Sequence, residues 1–108
     1  PWLDFDGVPF YSSGASWQRQ LHIYTSPFYY IDYCLAQSVA LQIFELMQDQ
    51  SWQAAWEKYM AYTRQGGSDT FLGLLEKAGL QNPMKPGALQ KAAQAAAYYM
   101  ARHQEDLN

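Results

Sequence analysis

From residue 28 to residue 49 the chain reads "FYYIDYCLAQSVALQIFELMQD", twenty-two residues without a proline or a glycine. Nothing in that stretch breaks an α-helix, and at 1.5 Å per residue it reaches roughly 33 Å, about the width of a small domain. Ser26 and Pro27 stand just before it. Serine caps a first helical turn well, and proline carries a fixed φ that suits the first helical position. The sequence therefore predicts a helix over 26–49. Its apolar residues do not keep to one face. Phe28, Ile31, Leu35, Val39 and Leu46 form one stripe, while Ala40, Leu41, Phe44 and Met47 lie on other sides. A helix apolar on several sides is a covered helix.

The rest of the chain is punctuated for helices as well. Residues 1–15 hold two prolines, two glycines and two serines among aromatic residues, the composition of a loop. "SWQRQLHIY" gives a short helix over 16–24. Ser51 is the N-cap of a helix over 51–65, in which Trp52, Ala55, Trp56, Tyr59 and Met60 recur at spacings of three and four, and the Gly66-Gly67 pair ends it. Ser68 with Asp69 caps a helix over 68–78 that turns Phe71, Leu72, Leu75 and Ala78 inward and stops at Gly79. After the loop "LQNPMKPG", alanine-rich residues 87–106 make a strong last helix. No stretch alternates at the period of a strand. The expectation is an all-α fold of four to five helices, and at 108 residues a single helical unit with one core. A unit of this size needs one buried face per helix, yet 26–49 asks for more. The chain also opens on "PWLDFDGVPFYSSG", which reads like the middle of a protein. We expect the remainder of a larger protein to cover the long helix.

Charge and composition exclude several partners. The formal net charge is -3 and Lys plus Arg total 7, which gives no basic field for a phosphate backbone, so no nucleic acid is expected. No apolar run approaches the roughly 20 residues of a membrane span, so no membrane is expected either. The single cysteine, Cys34, cannot form an internal disulfide, which fits a reducing, cytoplasmic setting. We read Cys34 as a small core residue and the Trp52–Trp56 pair as core.

The chemistry gathers in "HIYTSPFYYIDY", residues 22–33, which hold one of two histidines and four of nine tyrosines. Packing alone accounts for such a cluster if the rings are buried with their hydroxyls wet. In a helix starting near Pro27, however, Tyr30 and Tyr33 are three apart and Tyr29 and Tyr33 four apart, so the three share a sector near the positive end of the helix dipole. A tyrosine with a pKa near 10 is protonated at pH 7 and donates, and His22 adds a further donor. Neutral donors beside a helix N-terminus suit an oxyanion, either a tetrahedral intermediate or a ligand carboxylate. They do not suit a metal. Zinc draws on three or more His, Cys or carboxylate ligands, whereas His22 and His103 are far apart and Cys34 stands alone, so no metal site is expected in this chain. Gly66, Gly67 and Ser68 lack the lysine and strand of a phosphate cradle.

"WQRQLHIYTSPFYYIDYCLAQSVALQ", followed by "GGSDTFLGLLEKAG" and "PGALQKA", resembles the C-terminal part of the oligoendopeptidase F branch of the thimet-oligopeptidase-like zinc metallopeptidases. The resemblance runs from about Pro1 to Ala93. It implies a zinc endopeptidase that cuts short peptides inside a closed helical channel. In that family the metal sits on an H-E-x-x-H helix with a further glutamate, and the motif's glutamate is the general base. None of those residues is in this chain. By position in the motif, Tyr33, with Tyr30 beside it, would donate to the oxyanion. His22 would hydrogen-bond the substrate backbone or the gem-diolate. Tyr29 is a further substrate-binding candidate beside them, and Arg19, just before the histidine, either contacts substrate or forms the surface or inter-segment ion pair more usual for an exposed arginine beside a loop. In the mammalian branch a glycine-rich loop with a functional tyrosine follows the histidine. Here Ile23-Tyr24-Thr25-Ser26-Pro27 stands in its place, which makes Tyr24 the substrate-binding candidate.

The expected function is thus the C-terminal portion of a zinc-dependent oligoendopeptidase, inactive by itself. Its expected partners are short peptide substrates and the remainder of the peptidase chain, and the separate piece would self-associate through its uncovered helix. The alternative is a self-contained helical module that binds a peptide or a small carboxylate without catalysis.

Overall fold

A computed structural model describes residues 4–104. Among these residues there are five α-helices, one 3-10 helix and no strand, so the fold is all-α. The chain divides into two compact units, Pro1–Cys34 and Leu35–Asn108, where the sequence led us to expect one.

The first unit is built from turns. Asp4 accepts from the backbone N–H of Asp6 at 2.9 Å, and the rings of Phe5 and Tyr11 stack at 5.2 Å. A 3-10 helix at Ala15–Arg19 follows, then α1 at Leu21–Thr25. The single helix expected over 16–24 is therefore two pieces, parted at Gln20, whose ψ of 93° is extended. The long helix, α2, runs Ile31–Asp49 and does not begin at Ser26. The reason is Phe28, whose φ of +69° no right-handed helix can accommodate. The N–H of Tyr29 donates to the Ser26 carbonyl at 3.1 Å, closing a four-residue turn with Pro27 and Phe28 at its corners. Proline second and a positive φ third define a type II turn. Pro27 thus opens a turn, the other position that its fixed φ suits.

The second unit follows the caps more closely. The remaining helices are α3, Trp52–Thr63, α4, Phe71–Ala78, and α5, Gln90–Arg102. Ser51 caps α3 by accepting from the N–H of Ala54 at 3.1 Å. Thr70, not Ser68, caps α4, accepting from Gly73 at 3.3 Å. Asp69 is otherwise engaged: it accepts from Thr70 at 2.7 Å and pairs with Lys77 at 2.8 Å. Gly79 closes α4 in the left-handed conformation, with Leu80 donating back to the Leu75 carbonyl at 2.8 Å. α5 begins three residues later than expected, after Gly87 at φ +79°, and the end of the predicted 87–106 helix lies outside the described residues.

Val39, Leu75, Ala78 and Leu80 form the core, with Ile43, Leu46, Ala61, Tyr62 and Phe71 packed against it. Leu75 is 1% exposed, and burial of that kind contributes about 1.5–3 kcal/mol per side chain. A polar clasp sits beside this core. Buried Gln42 donates to the Gln81 carbonyl at 3.0 Å and accepts from the Gln81 N–H at 2.8 Å, so one amide holds both backbone groups of the chain leaving α4.

Several residues expected inside lie outside. Of the stripe on the long helix only Val39 is buried, while Phe28 is 93% exposed. Trp52 and Trp56 stack on each other at 5.5 Å with planes 8° apart, but on an exposed face of α3. Leu72 and Tyr59 are exposed too. Cys34 is exposed as well, since it precedes the part of α2 that meets the core.

Candidate functional site

The turn at Ser26–Tyr29 matters because of what stands on either side of it. His22 is the second residue of α1, whose last turn donates from Ser26 to the His22 carbonyl at 3.0 Å. The type II turn reverses the chain. Asp32 then donates to the Tyr29 carbonyl at 3.0 Å, which leads into the first turn of α2, where Tyr33 sits. Three backbone hydrogen bonds in succession therefore fold Tyr29, Tyr30 and Tyr33 back around His22.

The four rings meet. The imidazole centroid lies 5.5 Å from Tyr30 and from Tyr33, and 6.3 Å from Tyr29. Tyr33 is edge-on to Tyr29 at 5.7 Å and to Tyr30 at 5.6 Å. These separations are those of favourable edge-to-face pairs. The Tyr33 hydroxyl oxygen is 3.4 Å from His22 Nε2, long for a hydrogen bond but within reach of one. The other ring nitrogen, Nδ1, is shut off from solvent and has no hydrogen-bond partner. The three tyrosines keep 39% to 50% of their surface exposed, so the cluster is open on one side.

Crowding reinforces the protonated form of Tyr33. Partial removal from solvent pushes its phenol above the ordinary tyrosine value, and Tyr29, Tyr30 and Asp32 push it the same way. A phenol so raised keeps its proton at neutral pH and can only donate or share it.

The remaining candidates stand elsewhere. Arg19 donates to the Tyr11 hydroxyl at 2.9 Å and lies 4.9 Å over that ring, so its guanidinium is engaged within the N-terminal loop. Tyr24 is exposed and has no ring contact with the cluster. His103 stacks on Tyr99 at 4.0 Å. An open groove of about 790 Å³ beside α4, lined by Leu72, Leu75, Leu80 and Ala88 with Glu76 and Lys85, brings no histidine or tyrosine together. Among the described residues no group of three His, Cys, Asp or Glu side chains gathers that could hold a metal ion. No described helix is long and apolar enough to cross a membrane.

The sequence identified His22, Tyr29, Tyr30 and Tyr33 as neighbours through the wrong geometry. Helical spacing was to align the tyrosines, yet Tyr29 and Tyr30 precede the helix and a turn aligns them. The signal for that turn was present in Ser26-Pro27, but a phenylalanine in the position that favours glycine concealed it.

No family model matches the chain, and no curated protein matches it. Among solved structures it is similar to a crystal structure assigned as an oligoendopeptidase F, with 40% sequence identity over 91% of this chain and a TM-score of 0.76. The chain spans 17% of that protein's length. At that identity, over that share of its own residues, the chain belongs to the oligoendopeptidase F family.

Proposed function

We propose that the protein carrying this chain is a zinc-dependent oligoendopeptidase that hydrolyses short peptides, and that this chain is the C-terminal part of its catalytic domain and supplies the donors for the oxyanion. The observation that carries the reading is the convergence of three tyrosine rings on one imidazole, with Tyr33 held protonated and the group open on one side. Zinc, which the family implies, has no ligand set among the described residues, so none of the steps below passes through it.

As the scissile carbonyl becomes tetrahedral its oxygen gains negative charge, and a donor aimed at that oxygen stabilises the transition state more than the ground state. Tyr33 is such a donor. Its hydroxyl is most effective when its own proton is free, which requires His22 to carry its proton on Nε2 and donate to the phenol oxygen. That donation also makes the Tyr33 O–H a stronger donor. His22 in this arrangement orients Tyr33, and contact between His22 and the substrate itself would require the ring to turn. Tyr30 and Tyr29 flank the donor, where they can hold the peptide backbone on either side of the reacting carbon. Arg19 and Tyr24, away from the cluster, would at most contact the outer part of a substrate. Because the Tyr33 phenol is raised, its loss as a donor falls above pH ~10, and it imposes no alkaline limb on activity below that.

The test begins with the complete reading frame that bears this chain. The reading expects an H-E-x-x-H motif upstream and cleavage of short peptides by the purified product. A frame without that motif, or a product that leaves peptides intact with zinc supplied, removes it.

A further inference from the structure

We propose that Phe28 is a positioning residue, which by holding the left-handed corner of the Ser26–Tyr29 turn sets the approach of Tyr33 and Tyr30 to His22. The proposal rests on the reading of Tyr33 as a donor and adds to it what holds that donor in place.

Phe28 has a φ of +69° in a position where type II turns favour glycine, so the residue bears a backbone strain that its neighbours must hold in place. Its side chain does not explain the strain. The ring is 93% exposed and takes part in none of the aromatic contacts of the cluster. What Phe28 does, it does through its backbone. The Ser26 N–H is tied to His22, the Tyr29 N–H to Ser26 and the Asp32 N–H to Tyr29, at 3.0, 3.1 and 3.0 Å. Phe28 lies inside the middle link of this series. A return of its φ to the helical region would straighten 26–33 into the helix that the sequence predicts, and the tyrosines would then leave the imidazole on a rising spiral. The turn supplies the reversal, and the reversal brings the rings together.

The substitutions that separate backbone from ring are direct. Phe28→Pro fixes φ near -65°, about 130° from the observed value, at a position whose preceding proline accepts a following proline. Phe28→Gly and Phe28→Asn accept a positive φ without the ring. In the complete protein that carries this chain, Phe28→Pro is expected to lower kcat at least tenfold with KM within about twofold, the signature of a contact made in the transition state. Phe28→Asn and Phe28→Gly are expected to recover kcat to within about threefold of the parent. In the same proteins without substrate, nuclear Overhauser contacts from the His22 imidazole to the Tyr30 and Tyr33 rings should be present for glycine and asparagine and lost for proline. Phe28→Val, which also resists a positive φ, gives the same reading should the proline variant fail to fold.

Glycine and asparagine variants as impaired as proline would overturn the proposal, because activity would then follow the ring. So would a proline or valine variant that keeps the ring contacts. Lost contacts with unchanged kcat also overturn it, and a parallel Tyr33→Phe then shows which reading failed. If Tyr33→Phe lowers kcat, only the role given to Phe28 is lost. If it does not, the donor reading is lost as well.

Discussion

The two units of the chain are held by different physics. In the second, Val39, Leu75, Ala78 and Leu80 are buried together, α3 and α4 start on side-chain caps, and a buried glutamine clasps the backbone. In the first there is no buried core residue among those described, and order comes from turns, half-exposed rings and three non-glycine corners at positive φ, Asp6, Phe10 and Phe28. Area removed from water stabilises the second unit, whereas the first spends its geometry on bringing polar rings to one place. Surfaces that must receive a ligand remain open, and open surfaces contribute little burial. The comparison predicts that substitutions in the second unit register as stability and those around His22 as turnover.

The largest stability effect belongs to Leu75→Ala, expected to cost about 2–5 kcal/mol in urea unfolding because the side chain is 1% exposed and packs within the core cluster. An effect below about 1 kcal/mol would put the core elsewhere. Gln42→Leu comes next. It strips the Gln81 N–H and carbonyl of their partner while keeping the volume, and about 1–2 kcal/mol should be lost. Ser51→Ala should remove about 1 kcal/mol by uncapping α3, with Ser51→Gly milder.

The smallest effect is acid dependence at α4. The Lys77 ammonium, followed by the Thr70 N–H, holds the Asp69 carboxyl below its usual value. Its stabilisation is therefore present above the unfolded carboxylate pKa of about 4 and is lost as pH falls through the depressed folded value. Thermal unfolding followed from pH 6 to pH 2 should show a shallower acid limb for Asp69→Asn. An unchanged limb would mean that the pair is worth nothing to the fold.

The same contrast explains what could be read from the sequence. Helices α3 and α4 were legible because Ser51, Gly79 and the apolar spacing act locally, within one or two turns. The cap on α4 was misplaced by two residues because Ser68, Asp69 and Thr70 all offer an oxygen, and only the pairing of Asp69 with Lys77 decides among them. The start of α2 was not legible. Ser-Pro serves a helix and a turn equally, and what selects the turn is a backbone angle at Phe28 that its residue type argues against. The cluster itself was legible as composition, since His22 and its tyrosines are close in sequence whichever way the chain bends. Trp52 and Trp56 were misread because helical spacing says which residues share a face, but not whether anything in this chain covers it.

The measurement that bears most directly on the account is the peptide-cleavage kinetics of Tyr33→Phe in the complete protein, with the thermal midpoint recorded beside it. The substitution removes one hydroxyl from a half-exposed ring and leaves the edge-to-face contacts in place. The account predicts kcat lower by about 10²- to 10³-fold, KM changed little and the midpoint unmoved. A kcat equal to that of the parent, in a protein that folds as well, would contradict it.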